Sequence, residues 1–290
     1  MSEPTSQLES SPEELATASE ALDHSSFNRR ESAGQSEPIE HCEYYPDGSI
    51  KEKVYFLDGK LHGDTLSYNE KGVLLKKARY EDGELNGESI LYNPNGQKIQ
   101  QAHFLNGKME GETLMYDENG KICQRVPYKN GEINGEMTIY TNGLLQTKIT
   151  YRLNKQNGQF IGYNERGKIS VEMWYINGQL NGIGKWYNIH GEIVRKCLYV
   201  NDQLEGENIT YYADGTPLEK SFYHANILEG ERTLYHPNGK PREKQLYREG
   251  KPVGDAREYD TDGNLVERNE KGKQKRKPFA GLVDLITGGM

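Results

Sequence analysis

A glycine returns at Gly48, Gly72, Gly96, Gly120, Gly143, Gly167, Gly191, Gly215, Gly239 and Gly263. Eight of these nine intervals are 24 residues, and the one from Gly120 to Gly143 is 23. A fixed period of this length marks a repeat architecture in which each unit packs only against its neighbours. Two aromatic columns keep phase with it. One runs from Tyr68 through Tyr92 and Tyr116 to Tyr259, the other from Phe56 through Tyr80 and Phe104 to Tyr247.

Each period holds two turns and therefore two strands. Three residues after each aromatic of the second column stands Gly59, Gly83, Gly107, Gly131, Gly178 or Gly250, replaced in three units by Asn154, Asp202 and Asn226. Asn and Asp are the non-glycine residues that best tolerate positive φ, so the replacements themselves report a left-handed turn position. Dipeptides such as Asp82-Gly83 and Asn106-Gly107 are two-residue type I′ hairpin signals. A further glycine four residues on, as at Gly87 or Gly182, falls inside a strand. It implies either a bulge or a neighbouring ring over bare backbone.

A two-residue turn pairs Tyr80 with Leu85. Carried along the strands, that register pairs Lys53 with Asp64, Lys77 with Glu88, Arg125 with Glu136, Lys220 with Glu231 and Lys244 with Asp255, and sets Glu172 opposite Ile183. The acidic column then reads as half of a solvated ion-pair ladder rather than a docking rail. Alternation places Val54, Ala78, Ala102, Val126, Ile149, Met173 and Cys197 on the face of the second aromatic column, together with Ile50, Leu74, Ile122, Leu145, Ile169 and Ile193.

The fold expected is all-β: an elongated antiparallel meander of about nine 24-residue hairpin units, spanning residues 44–263. Residues 1–43 read as a disordered acidic tail, and residues 264–290 as a basic linker with a short apolar helix around Phe279, Leu282, Val283 and Ile286. Composition agrees, with 20 Tyr and 32 Gly against a hydrophobic fraction of 34%. Tyr packs its ring on a sheet while its hydroxyl stays wet, which suits a sheet that is never deeply covered.

The run Tyr92 to Ile99 (YNPNGQKI) followed by Phe104 to Tyr116 (FLNGKMEGETLMY) resembles the MORN-repeat variant, especially the type found in the YwqK family of antitoxin-like proteins. The resemblance covers about residues 44–263. It implies a protein-binding role, with neutralisation of a partner toxin as its sharper form, and it brings no catalytic residues.

The residues themselves point away from catalysis. The seven histidines have no metal-ligand spacing, and Gly162 to Lys168 mimics a phosphate loop but continues into Ile169 where Ser or Thr is needed. The three cysteines form no CxxC pattern. No enzyme activity, cofactor or metal is therefore expected. The formal net charge of −8 argues against nucleic acid as a partner. The N-terminus has no basic n-region or apolar h-region, so a cytoplasmic location is expected. A membrane-associated assembly module, anchored by the basic-apolar C-terminal segment, is the alternative function. The open edges of a meander also make self-association an expected partner mode.

The expected partner surface lies on the face opposite the packed one. There the residue before the second-column aromatic changes from Tyr55, Arg79, His103, Pro127 and Thr150 to Trp174, Leu198, Phe222 and Leu246, with Ile183 nearby. An exposed apolar row marks an interface. The competing reading covers that row with Phe279, Leu282, Val283 and Ile286 of the same chain.

Overall fold

The computed structural model describes residues 37–266. The acidic tail up to residue 36, the basic segment from residue 267 and the helix expected within it lie outside the described residues. Those described form one 24-stranded antiparallel sheet, from Ile39–Tyr44 to Lys251–Glu258, with no helix among them. Successive strands pair in chain order, so the sheet is an open meander. Its first strand begins at Ile39, ahead of the boundary expected at residue 44.

Both turn types follow from local chemistry. The tight turns carry positive φ at both central residues, as in Asp82 (51°) and Gly83 (90°) or Asn201 (48°) and Asp202 (67°). That is the type I′ geometry whose twist matches the flanking strands. Leu153, Ala225 and Glu249 hold positive φ as well. Nothing in their chemistry favours it; the register of the hairpin imposes it. The other turns are one type longer, closed for example by Gly72 N donating to Asn69 O at 2.8 Å and Asn69 N to Val73 O at 3.0 Å. The Asn69 Oδ1 accepts from the N–H groups of Lys71 and Val73 inside that loop. Between Tyr140 and Leu145 this longer turn is replaced by the tight pair Asn142-Gly143. One loop residue is lost there, and the 23-residue interval is explained.

Successive hairpins are also tied turn to strand. Gly107 N donates to Leu85 O at 2.8 Å, and Asn226 N to Leu204 O at 3.1 Å, each reaching back one unit. Where glycine is absent, the side chain closes the ring: Asn154, Asp202 and Asn226 accept through Oδ1 from the N–H of Ile133, Leu180 and Leu204 at 2.6–2.7 Å. The Asn and Asp at these positions therefore supply an acceptor as well as tolerance of φ.

Two expectations of register are corrected. Tyr80 does pair with Leu85, but Ala78 then pairs with Ser89 and Lys77 with Ile90. Asn86, Gly87 and Glu88 stand against Arg79 alone, a bulge centred on the in-strand glycine. Each acid is thereby moved away from the base expected for it and toward the following strand. The ladder is made of Lys77–Asp64 (3.1 Å), Arg125–Glu112 (2.8 Å), Lys148–Glu136 (2.9 Å), Lys244–Glu231 (2.8 Å) and Lys220–Glu207. Glu172, set against Ile183 by the expected register, instead meets Lys185 at 3.1 Å.

The second correction concerns Ile50, Leu74, Ile122, Leu145, Ile169 and Ile193. They pair with first-column aromatics, as in Leu74 with Tyr68 and Ile193 with Tyr187. A one-residue bulge after each of these turns, the tight Asn142-Gly143 turn before Leu145 included, breaks the alternation that would have put them on the other face. Val54, Ala78, Ala102, Val126, Ile149 and Cys197 are buried on the packed face, beside Tyr80 and Phe104.

Candidate partner-binding face

The in-strand bulge shapes the outward face directly. Gly182 has φ +142°, and a Cβ placed on it would lie 3.0 Å from the Cβ of Trp174. Its neighbour Asn181 donates its N–H to the Trp174 carbonyl at 2.8 Å, and Glu229 N does the same to Phe222 O at 2.8 Å. The glycine leaves the backbone bare so that the outward residue can stand over it. At Gly182 a bulge and an overlying aromatic side chain occur together, whereas the equivalent Gly87, Gly135 and Gly158 meet Arg79, Pro127 and Thr150, and Gly111, Gly206 and Gly254 meet nothing within 4 Å.

Trp174, Ile183, Leu198, Phe222 and Leu246 are all exposed, from 36% for Leu198 to 48% for Ile183. Ile183 and Leu198 are direct cross-strand partners, as are Glu207 and Phe222, and Glu231 and Leu246. Successive units stand roughly 10 Å apart at two strand spacings each. Lys220 Nζ sits 5.4 Å from the centre of the Phe222 ring. The row is wider than the sequence suggested. Ile176 and Val200, two residues beyond Trp174 and Leu198, are exposed, as are Ile227 opposite His224 and Val253 opposite Leu246. Period-two continuation past the aromatic column could have found Ile176 and Val200. Ile227 and Val253 follow from the two-residue-turn register, which pairs them with His224 and Leu246.

The packed face changes in the opposite sense. Its central column is Val54, Ala78, Ala102, Val126 and Ile149 in the first half, all buried. Farther on it becomes Cys197, Ser221 and Gln245, also buried, flanked by Asn208. These polar groups are satisfied within the sheet. Asn208 Nδ2 donates to Ser221 Oγ at 3.2 Å, Arg195 Nε to Asn208 Oδ1 at 2.8 Å, and Gln245 Nε2 to Val253 O at 3.1 Å. Arg232 binds Glu219 through two hydrogen bonds of 3.0 and 2.9 Å. Buried polar atoms wired in this way avoid the cost of desolvation without a partner.

Charge frames the apolar row unequally. On the side away from the tight turns lie Glu172 paired with Lys185, and Lys220 and Lys244, whose partners Glu207 and Glu231 stand in the row itself opposite Phe222 and Leu246. Burial pushes the Glu172 carboxyl up, but hydrogen bonds from Tyr187 and Lys185 outweigh it and hold the group below its ordinary range. Burial and that same carboxylate push the Tyr187 phenol up to about 12. At the turn side, Glu205 accepts from Ala225 N at 3.0 Å and meets His224 Nδ1 at 2.9 Å.

Five segments, residues 39–58, 85–106, 109–130, 204–225 and 228–249, match the model of the MORN repeat variant. Every match ends on the first residue of a tight turn, at Asp58, Asn106, Asn130, Ala225 or Glu249. These five segments carry MORN-variant repeats. The intervening units keep the same turn and bulge geometry. No curated protein matches the chain. Among solved structures, it is similar to a chain of the Photorhabdus luminescens Tc holotoxin pore (mutation TccC3-D651A), at 14% identity and a TM-score of 0.19. The alignment covers 78% of this chain, which spans 15% of the length of that one.

Proposed function

We propose that this chain is a non-catalytic scaffold that binds a protein partner through the C-terminal half of its outward face. Trp174, Ile183, Leu198, Phe222 and Leu246, widened by Ile176, Val200 and Ile227, form the contact. The observation that carries this reading is the reversal of polarity along the sheet. In the second half the packed face is held by hydrogen bonds while large apolar side chains stand in water on the other. Burying apolar surface contributes about 25 cal/mol per Å², a gain that nothing among the described residues collects at this row. A Trp at one end of the row suits a binding hot spot.

The sharper form of the proposal is an antitoxin-like role in the cytoplasm, with a toxin as the partner. The likeness of the repeat to the YwqK type supports it. The test is site-specific photo-crosslinking in the native cell, with a benzophenone amino acid at Leu198 or, as a control, at His103 in the first half. A single partner captured from Leu198 and not from His103 is expected. Equal capture from both positions, or capture only from His103, overturns the assignment of the face.

A further inference from the structure

We infer that in the free chain the apolar row is occupied by the chain's own segment 271–290, which an external partner must displace. The inference rests on the reading of this row as a docking surface and names what it takes: a polypeptide segment both apolar and basic.

The layout of the row sets that chemistry. Its inner flank is mostly ion-paired, through Glu172–Lys185, Glu207–Lys220 and Glu231–Lys244, with Lys196 exposed and without an ion pair among the described residues. Its outer flank, at the tight turns, is acidic. Asp202 and Glu229 have no ion pair among the described residues. Their carboxylates accept only from backbone N–H groups, those of Leu180 at 2.7 Å and Glu249 at 2.7 Å. The one cation on Glu205 is His224, charged only when protonated. Arg248 and Lys251 counter this charge at the last turn alone. An occupant along the row therefore needs apolar side chains on the sheet and positive charge toward Asp202, Glu205 and Glu229.

The segment supplies both. Lys271, Lys273, Lys275, Arg276 and Lys277 precede Phe279, Leu282, Val283, Leu285 and Ile286. It is also long enough. From Val266 to Pro278 the chain reaches up to about 40 Å at ~3.3–3.6 Å per residue. Six strand spacings of ~4.8 Å separate the strand of Leu246 from that of Trp174, roughly 30 Å. A tether of this length holds the segment at an effective concentration on the order of millimolar, so even weak docking is populated.

The chain has two tryptophans, and Trp186→Phe leaves Trp174 as the sole reporter. Phe keeps a ring where Trp186 stacks on Arg195. In that full-length background, Trp174 is expected to be shielded from acrylamide. The triple substitution Phe279→Asp, Leu282→Asp, Ile286→Asp should red-shift its emission and roughly double its quenching. Adding a synthetic peptide of residues 271–290 should restore the shielding, and Lys273→Glu, Lys275→Glu, Lys277→Glu should also expose Trp174 at low salt. Equal quenching in parent and triple variant overturns the inference, because the row is then open in the free chain. Shielding that vanishes on dilution overturns it in favour of a second copy. No partner is needed for this readout, so its failure leaves the partner-binding proposal standing, and a partner docked elsewhere leaves this readout unchanged.

Discussion

Arg125 donates from Nη1 to Glu112 Oε2 at 2.8 Å, across the strand boundary that precedes it. The bulge at each in-strand glycine sets this partnership, and the pair is a direct handle on register. Both side chains are more than a third exposed, so screening keeps the interaction small, under about 1 kcal/mol. Arg125→Glu should destabilise modestly. Adding Glu112→Arg should recover most of the loss, whereas Glu136→Arg should recover none and also break the Lys148 pair. A double-mutant cycle in urea reads the coupling, and coupling to Glu136 instead of Glu112 would reject the bulged register.

Gly182 is held at a φ that L residues rarely adopt, with Trp174 directly over it. Gly182→Ala should cost about 1–3 kcal/mol in thermal or urea unfolding, from strain at positive φ and the displaced indole. Gly178 also has positive φ but nothing within 4 Å of its Cβ position. Gly178→Asn, which reproduces the residue type of other tight turns, should cost less than half as much. Equal losses at the two sites would show that the Trp174 contact is immaterial.

Asn226 separates the two roles of a turn residue, since it has φ 68° and also accepts from Leu204 N at 2.7 Å. Asn226→Gly keeps the backbone at ease and gives up the bond, a loss of about 0.5–1.5 kcal/mol. Asn226→Ala gives up the bond and strains the backbone by roughly 1–2 kcal/mol more. The stability order wild type, Gly, Ala is expected in equilibrium unfolding. A Gly variant as stable as wild type would remove the side-chain bond from the account.

His224 and Glu205 give one hairpin a pH dependence. The hydrogen bond and charge of Glu205 raise the imidazole above its ordinary value of 6.5. The hydrogen bonds from His224 and Ala225 lower Glu205 below its ordinary 4.5. The raised histidine stabilises fully below 6.5, and that gain fades as pH climbs through its folded value. The depressed carboxyl stabilises above 4.5 and fades as pH falls through its own. The stability difference between wild type and His224→Ala should therefore be largest between about 4.5 and 6.5 and shrink on both sides. A difference that grows above pH 7 would contradict the pair.

The period of the chain made the meander, its tight turns and its packed column legible, because each rests on a local rule: positive φ at Asn-Gly, alternation along a strand, an aromatic on a pleated surface. The ladder partners were not legible. A register carried outward from the turn holds only until a bulge intervenes, and Gly87 announces a bulge without giving its size. The misplaced face of Leu74 and Ile193 has the same cause at the other turn. The outward apolar row was found from one column, while Ile227 and Val253 were within reach of the tight-turn register, which sets them opposite His224 and Leu246. The hydrogen-bonded second half of the packed face was hidden as well. Ser221 and Gln245 look like ordinary surface residues until Asn208 and the carbonyl of Val253 are placed beside them.

The central claim is that the partner reads the second half of the outward face. The most direct measurement is the affinity of the isolated native partner for full-length protein carrying Trp174→Ala and Phe222→Ala. The protein carrying Arg79→Ala and His103→Ala at the equivalent column in the first half is the comparison. Loss of the two aromatic anchors should weaken binding by at least about 2 kcal/mol, some thirtyfold, with the melting profile retained, while the first-half pair should leave affinity within about twofold. Unchanged affinity in the Trp174 and Phe222 variant, or an equal loss in the Arg79 and His103 variant, would contradict it.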